Sequence, residues 1–135
     1  MIIREQRITI IRIARPKEGN VNEEMKWLGH SLGLFNERDK DSSLYRIFVE
    51  LIKSSRAGQL LTSDELARRL RLTRGTVVHH LNKLLESGIV VSDRNRYALR
   101  VRNLEVLIDE LRKDIRRTLD DLREIARQID EELRL

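Results

Sequence analysis

The sequence predicts a mostly α-helical fold with one small β hairpin, an α+β protein. Apolar residues recur at helical spacing through most of the chain, which indicates amphipathic helices. The run Ile89–Ser92 is rich in β-branched residues, a turn follows at 93–95, and Arg96–Val101 returns, as expected of a hairpin. From Asn103 onward the chain contains neither Gly nor Pro, which indicates one long helix.

Residues 1–40 predict a strand followed by a helix. Arg7–Ile13 is β-branched and is followed by Pro16 and Gly19, a pattern typical of a strand that ends in a turn. Asn22–Phe35 predicts a helix, because four large apolar residues fall on one of its faces: Met25, Leu28, Leu32 and Phe35.

Two helices and a short bridge follow. Ser43–Ser55 carries a strong apolar stripe at helical spacing. Gln59–Leu61 is a short apolar bridge that suits one strand. Thr62 and Glu65 have the spacing of a capping box, so a short helix is expected at Ser63–Leu70.

A further helix is predicted directly after a tight connection. Thr73 is a good N-cap for Arg74–Ser87, and Gly88 suits the left-handed position that ends a helix. The expected core face of this helix consists of Val77, Leu81, Leu84 and Leu85.

The order of these elements is helix, short strand, helix, tight turn, helix and hairpin, which is the order of a winged helix-turn-helix. In such a domain the second helix of the pair enters the major groove of double-stranded DNA. With 135 residues, the chain fits one small domain plus extensions. We expect an N-terminal strand-helix extension at 1–40, the winged helix-turn-helix at 41–101, and an amphipathic dimerisation helix at 102–135.

The run from Leu61 to Val90 resembles winged-helix regulators of the ArsR type. The matching segments are Thr73–Leu81, which contains the paired histidines, and Gly88–Val90. The resemblance implies a sequence-specific transcriptional regulator, a dimeric repressor that binds double-stranded DNA. The chain departs from these regulators in carrying Val78 where they have a small polar residue, and in its long N-terminal extension. It also has no cysteine, which excludes metal sensing through thiolates.

The charge distribution agrees with an anionic partner. The net charge is +5, and residues 71–101 hold six basic residues against two carboxylates. Residues 102–135 are instead slightly acidic, with eight basic and ten acidic residues. The basic excess therefore coincides with the predicted helix-turn-helix and wing.

Candidate DNA contacts follow from the faces of the predicted recognition helix. Two adjacent histidines, His79 and His80, point about 100° apart on a helix. We expect His79 to face outward and His80 to lie nearer the core, and such a pair is a poor metal site. Arg94 and Arg96 flank the hairpin tip and suit a phosphate or minor-groove contact. The predicted DNA-binding residues are Thr73, Arg74, Thr76, His79, Lys83, Arg94 and Arg96.

The C-terminal helix predicts a homodimer. Apolar residues recur there every seven positions, a pattern that favours a parallel two-stranded coil. Leu107, Leu119, Ala126 and Leu133 widen the stripe, so packing in a bundle with the Asn22–Phe35 helix is the alternative. The predicted dimerisation residues are Leu104, Ile108, Leu111, Ile115, Leu122, Ile125 and Ile129.

Several classes of function are not expected. Without cysteine there is no disulfide and no Cys-based zinc site. No stretch approaches 18 apolar residues, so we expect no membrane span and a cytoplasmic protein. No nucleophile elbow, phosphate-binding Gly loop or HExxH motif is present, and we expect neither an enzyme nor a bound cofactor. The alternative function is a winged-helix module that binds other proteins of the transcription machinery. The sequence leaves the operator and any small-molecule effector open.

Overall fold

The structure, a computed structural model, describes residues 5–17 and 19–135. This part of the chain contains five helices and three strands, so the mostly helical α+β class is confirmed. In chain order they are α1 (Val21–Ser31), α2 (Ser43–Arg56), β1 (Leu61–Thr62), α3 (Ser63–Leu70), α4 (Arg74–Ser87), β2 (Val90–Asp93), β3 (Arg96–Leu99) and α5 (Leu104–Leu133).

The strands form an antiparallel sheet in the order β1-β3-β2. Leu61 pairs with Tyr97, and Val90 pairs with Leu99. The predicted bridge at Gln59–Leu61 is thus a strand that begins two residues later. This sheet closes one side of the helix-turn-helix and holds the β2–β3 hairpin, which is the wing.

The core lies between α2, α4, the sheet and the first half of α5. Phe48 and Ile47 of α2 are fully buried, as are Val77, Leu81 and Leu84 of α4. The predicted core face of α4 is therefore confirmed at these three positions, while Leu85 is only half-buried. Leu66 of α3 and Leu107 of α5 complete this core.

The predicted strand Arg7–Ile13 is wrong. The segment pairs with none of the described strands; its Arg7 N–H donates to the Glu86 carbonyl at 3.1 Å, and Ile11 N–H donates to the Ser31 carbonyl at 2.7 Å. Both acceptors lie in the last turn of a helix, where carbonyls lack a partner within the helix. Free carbonyls at two helix ends thus satisfy these amides in place of a neighbouring strand.

Helix α1 ends at Ser31, four residues earlier than predicted. Gly33 has φ +73°, which turns the chain so that Leu32 and Leu34 enter the core. A Cβ on Gly33 would also lie 2.7 Å from a Thr9 side-chain carbon. Phe35, the last residue of the predicted helix, stacks between His30 and Tyr45, with ring centroids at 4.1 and 4.4 Å.

Helix α5 has two halves with different surroundings. Leu107, Leu111 and Asp114 are buried against the domain, whereas every residue from Arg116 onward is exposed. We call residues 116–133 the stalk; at 1.5 Å per residue it is about 27 Å long. Within residues 5–17 and 19–135, no helix has both the length and the apolar character needed to cross a membrane.

Candidate nucleic-acid interface

Helices α3 and α4 are joined by three residues, Arg71, Leu72 and Thr73. Arg71 adopts φ +56° as the C-cap of α3, and Leu72 N–H returns to the Ala67 carbonyl at 2.9 Å. Arg46 of α2 donates to the Leu70 carbonyl at 2.6 Å, which fixes the C-terminal end of α3 to the neighbouring helix. Thr62 caps the other end by accepting from Glu65 N–H at 3.1 Å, as predicted. Both ends of α3 are therefore fixed, which holds the helix pair α3 and α4 in one geometry.

The first turn of α4 is organised by two threonines. Thr73 Oγ1 accepts from Thr76 N–H at 3.2 Å and donates to Thr76 Oγ1 at 2.8 Å. The predicted N-cap is thus confirmed. Thr73 is exposed and Thr76 is half-buried, so both hydroxyls already serve the helix end before any ligand is considered.

Arg74 lies at the exposed N-terminus of α4. Its Nε is 3.6 Å from Oδ1 of Asp64 on α3, and both side chains are largely exposed. An exposed ion pair of this kind contributes little to stability. Arg74 can therefore exchange this carboxylate for another acceptor at small cost.

The outer face of α4 is larger than the sequence indicated. Besides Arg74, His79 and Lys83, its exposed residues include Val78 and Asn82. Asn82 is the residue that sequence reasoning missed. Its signal was the helical period, because it lies four residues after Val78 and eight after Arg74. An amide presents a donor and an acceptor on one edge, the pattern that pairs with adenine in the major groove.

His80 faces inward, as expected. Its Nε2 lies 3.8 Å from Oδ2 of Asp39, both side chains are buried, and its Nδ1 has no hydrogen-bond partner among the described residues. Burial lowers the pKa of His80, although the Asp39 carboxylate opposes this shift. A neutral imidazole is therefore favoured. The described part of the chain contains no group of metal-ligating side chains that suits an ion.

Asp39 fixes the loop 36–41 against α2 and α4. Its carboxylate accepts from the N–H groups of Ser43 and Leu44, both at 2.9 Å. Burial alone would raise the pKa of Asp39, but the hydrogen bonds from Leu44 and Ser43 outweigh burial, and the pKa is lowered. The charged carboxylate thus accepts hydrogen bonds from the first N–H groups of α2.

The same loop brings two more basic residues to the interface. Arg38 and Lys40 are exposed and line a groove with His79 and Lys83 on its other side. Sequence reasoning missed this pair, since a polar loop gives no periodic signal and its position depends on the buried contact between Asp39 and His80. Cationic side chains therefore border the outer face of α4 on the loop side.

The wing is a hairpin with a two-residue turn. Arg94 and Asn95 have φ +52° and +63°, so both adopt the left-handed conformation. This geometry matches the turn type whose twist fits a hairpin. The predicted contact residues Arg94 and Arg96 are exposed on this turn and the strand that follows.

A buried carboxylate connects the wing, α4 and α5. Asp114 of α5 accepts hydrogen bonds from Arg100, from Gln6 at 2.8 Å and from Arg117 at 2.7 Å. Gln6 also donates to the Ser87 carbonyl at the C-terminal end of α4, at 3.1 Å. The hydrogen bond from Arg100 lowers the pKa of Asp114 to about 2. Sequence reasoning missed this cluster, because its members are far apart in the chain.

The predicted dimerisation residues divide between the two halves of α5. The prediction of a dimerisation role is wrong for Leu111, because this residue is 2% exposed and belongs to the core of its own domain. Leu104 and Ile108 are half-buried against the same core. Leu122, Ile125 and Ile129 lie on the stalk and are about half exposed.

One family comparison bears on this geometry. Residues 42–93 match the family described as helix-turn-helix domain. The matched residues run from the start of α2 to the end of β2, so they include both helices of the pair. This segment of the chain is thus similar to a helix-turn-helix domain, in agreement with the paired helices α3 and α4. No curated protein and no solved structure matched the chain.

Proposed function

We propose that the protein is a dimeric, sequence-specific transcriptional regulator that binds double-stranded DNA. The observation that carries this proposal is the outer face of α4. Apart from Val78 this face is polar, cationic side chains of the loop border it, and two further arginines are exposed on the wing, while the inner face of α4 is core. A helix-turn-helix domain with such a face suits a role in binding rather than catalysis.

The two kinds of contact have different partners on DNA. The exposed face of α4, with Arg74, His79 and Asn82, is the part that fits the major groove and distinguishes base pairs. Lys83, the loop cations and the wing arginines suit phosphates, which supply affinity and a steep dependence on salt. The threonines Thr73 and Thr76 contribute by holding the N-terminus of α4 in place.

Dimerisation through α5 is part of the proposal. The stalk exposes an apolar stripe that no other part of the described chain covers. A contiguous exposed stripe of this kind is typical of an interaction surface. A two-fold dimer would present two copies of α4 to a two-fold operator. The kinship with ArsR-type regulators and the repressor role rest on the sequence resemblance.

Selection of bound DNA from a random pool tests this function. At moderate salt, we expect a preferred sequence with two symmetry-related halves, while sedimentation of the same preparation gives a dimer. Recovery of no preferred sequence would contradict the proposal. Weak, salt-insensitive DNA binding together with stable co-purification of a transcription protein would favour the alternative of a protein-interaction module.

A further inference from the structure

The apolar surface of the stalk, together with Ile115 just before it, forms a continuous seam. Along α5, apolar side chains recur at alternating intervals of four and three residues, which places them on one narrow face. This seam differs from the predicted one, which is broken by Thr118 and Glu132. Its members are Ile115, Leu119, Leu122, Ala126, Ile129 and Leu133.

The seam is open along its length and continues at its base. Leu119, Leu122 and Leu133 are 56%, 59% and 64% exposed. Where α5 meets the domain, a shallow apolar pocket is lined by Ile10, Ile108, Leu111, Arg112 and Ile115. The surface left uncovered therefore runs from this pocket to the end of α5.

The charges on α5 from Arg112 onward are polarised along the helix axis. Residues 112–117 contain four basic residues and one acidic residue, Asp114, which is already buried and hydrogen-bonded. Residues 130–132 are all acidic. A second stalk laid in the same direction would place like charges together at both ends, whereas one laid in the opposite direction would place opposite charges together.

From this seam and this polarity we propose that two copies of the chain pair through antiparallel α5 stalks. The inference rests on the dimer in the proposed function and gives it an orientation, opposite to the parallel coil that the heptad pattern favours. Seam layers then form between Ile115 and the partner's Leu133, and between Leu119 and the partner's Ile129. The remaining layer joins Leu122 to the partner's Ala126, so every layer is apolar.

The residues beside the seam agree with this direction. In an antiparallel pair, the positions of Arg116 and the partner's Asp130 along the shared axis differ by only about 3 Å. The two-fold symmetry places a second such pair at the other end. Ile125 meets the partner's Ile125 across the two-fold axis. One unfavourable contact, Arg123 with the partner's Arg123, remains at the centre. In a parallel pair, Arg116 and the partner's Asp130 would be about 21 Å apart.

Disulfide cross-linking distinguishes the two directions. The chain has no cysteine, so each introduced thiol is the only one in its chain. Leu119→Cys and Ile129→Cys are made separately, one of them with a mass tag, and subunits are exchanged before oxidation. In the antiparallel dimer, position 119 is about 15 Å from its own copy, too far for a disulfide. We expect the mixture to give the tagged-untagged cross-link and neither variant alone to give any.

The other outcomes are equally decisive when sedimentation is run on the same samples. Cross-linking of each variant with itself would show a parallel pair and overturn the proposal while the dimer stands. A dimer with no cross-link in any sample would place the interface outside the stalk. A monomer that still selects a DNA sequence would remove the dimer and leave the DNA-binding function in place.

Charge reversal gives a second measurement that does not depend on thiols. Arg116→Glu and Asp130→Arg should each weaken the dimer by roughly tenfold, because each creates two like-charge contacts. The double variant should restore the dimer dissociation constant to near that of the parent. Additive weakening in the double variant would contradict the antiparallel direction, since the two positions are far apart within one helix.

Discussion

Arg74 is the residue whose position most directly suggests base recognition. It lies at the exposed start of α4, and among the described residues its side chain pairs only with Asp64, at the surface. We expect Arg74→Ala to weaken binding to the preferred sequence by about 1–3 kcal/mol and to relax specificity at one position. Titration of the selected sequence and of variants at each base pair measures both effects.

The matched control for this prediction is Arg127→Ala. Arg127 is an exposed stalk arginine that pairs with Glu131 of the same helix, on the face away from the seam. Its loss changes the net charge equally but should leave specificity unchanged. Equal binding by the Arg74→Ala variant and the parent would remove Arg74 from the interface.

We expect Asp114 to make the stability of the fold depend on pH. Its pKa in the folded chain is about 2, below the ordinary value of 3.8, chiefly because Arg100 donates to it. A lowered carboxylate pKa stabilises the fold above the ordinary value, and this contribution is lost as the pH falls from 3.8 towards 2. The shift corresponds to about 2 kcal/mol at neutral pH.

Denaturant unfolding of the parent and of Asp114→Asn measures this contribution. At pH 7 the variant should have the lower free energy of unfolding, by about 2 kcal/mol or more, because it also leaves Arg100 without its charged partner. The difference should shrink as the pH falls below about 4. A difference that stays constant with pH would show that the charge of Asp114 is not what stabilises the domain.

The residues that sequence could identify are those governed by helical period. The inward position of His80 and the core role of Val77, Leu81 and Leu84 followed from counting along one helix. Arg38 and Lys40 could not be found in this way. They reach α4 only because Asp39, buried beside His80, fixes their loop, and such a contact between distant segments leaves no periodic trace.

At the scale of elements, the wing turn combines an unfavourable conformation with a charged side chain. Arg94 adopts φ +52°, a left-handed conformation that Asn and Gly adopt more readily. For other residues this conformation costs about 1 kcal/mol of stability. We expect Arg94→Asn to raise the free energy of unfolding by up to about 1 kcal/mol while it weakens DNA binding. The slope of log affinity against log salt concentration should become shallower by about one, the change expected when one phosphate contact is lost.

Arg96→Gln separates the two effects. Arg96 lies on β3 with strand geometry, so its replacement should weaken binding without stabilising the hairpin. Weaker binding that depends on the DNA sequence would contradict a phosphate contact for either residue. If Arg94→Asn left both stability and affinity unchanged, the turn would have no role in the interface.

Elements with strong local signals were predicted nearly to the residue. The N-caps Thr62 and Thr73 and the stop at Gly88 set the bounds of α3 and α4, and each cap forms the expected hydrogen bond or left-handed turn. The segment Arg7–Ile13 has an equally clear β-branched pattern but pairs with none of the described strands, and its Arg7 and Ile11 amides donate to carbonyls at two helix ends. Whether such a run pairs depends on a partner elsewhere in the chain, which composition does not reveal.

At the scale of the whole molecule, the Asp114 cluster joins the two surfaces that the proposed function needs. It bonds Arg100, which follows the wing, and through Gln6 it reaches the end of α4 at Ser87. It also lies where α5 leaves the domain. The direction of the stalk is therefore fixed relative to the recognition helix, so that stalk pairing would set the distance between two copies of α4.

Breaking the stalk pair should therefore affect DNA binding without touching the DNA surface. Leu122 is 59% exposed, so Leu122→Glu should leave the fold intact while placing a charge in the seam. We expect a monomer that binds the two-half sequence about 10²- to 10⁴-fold more weakly, since the second half is no longer tethered. Its affinity for a single half should equal that of the parent.

Gln128→Glu adds the same charge away from the seam and should bind like the parent. If the Leu122→Glu variant sedimented as a monomer yet bound the two-half sequence with parental affinity, recognition would not depend on the stalk.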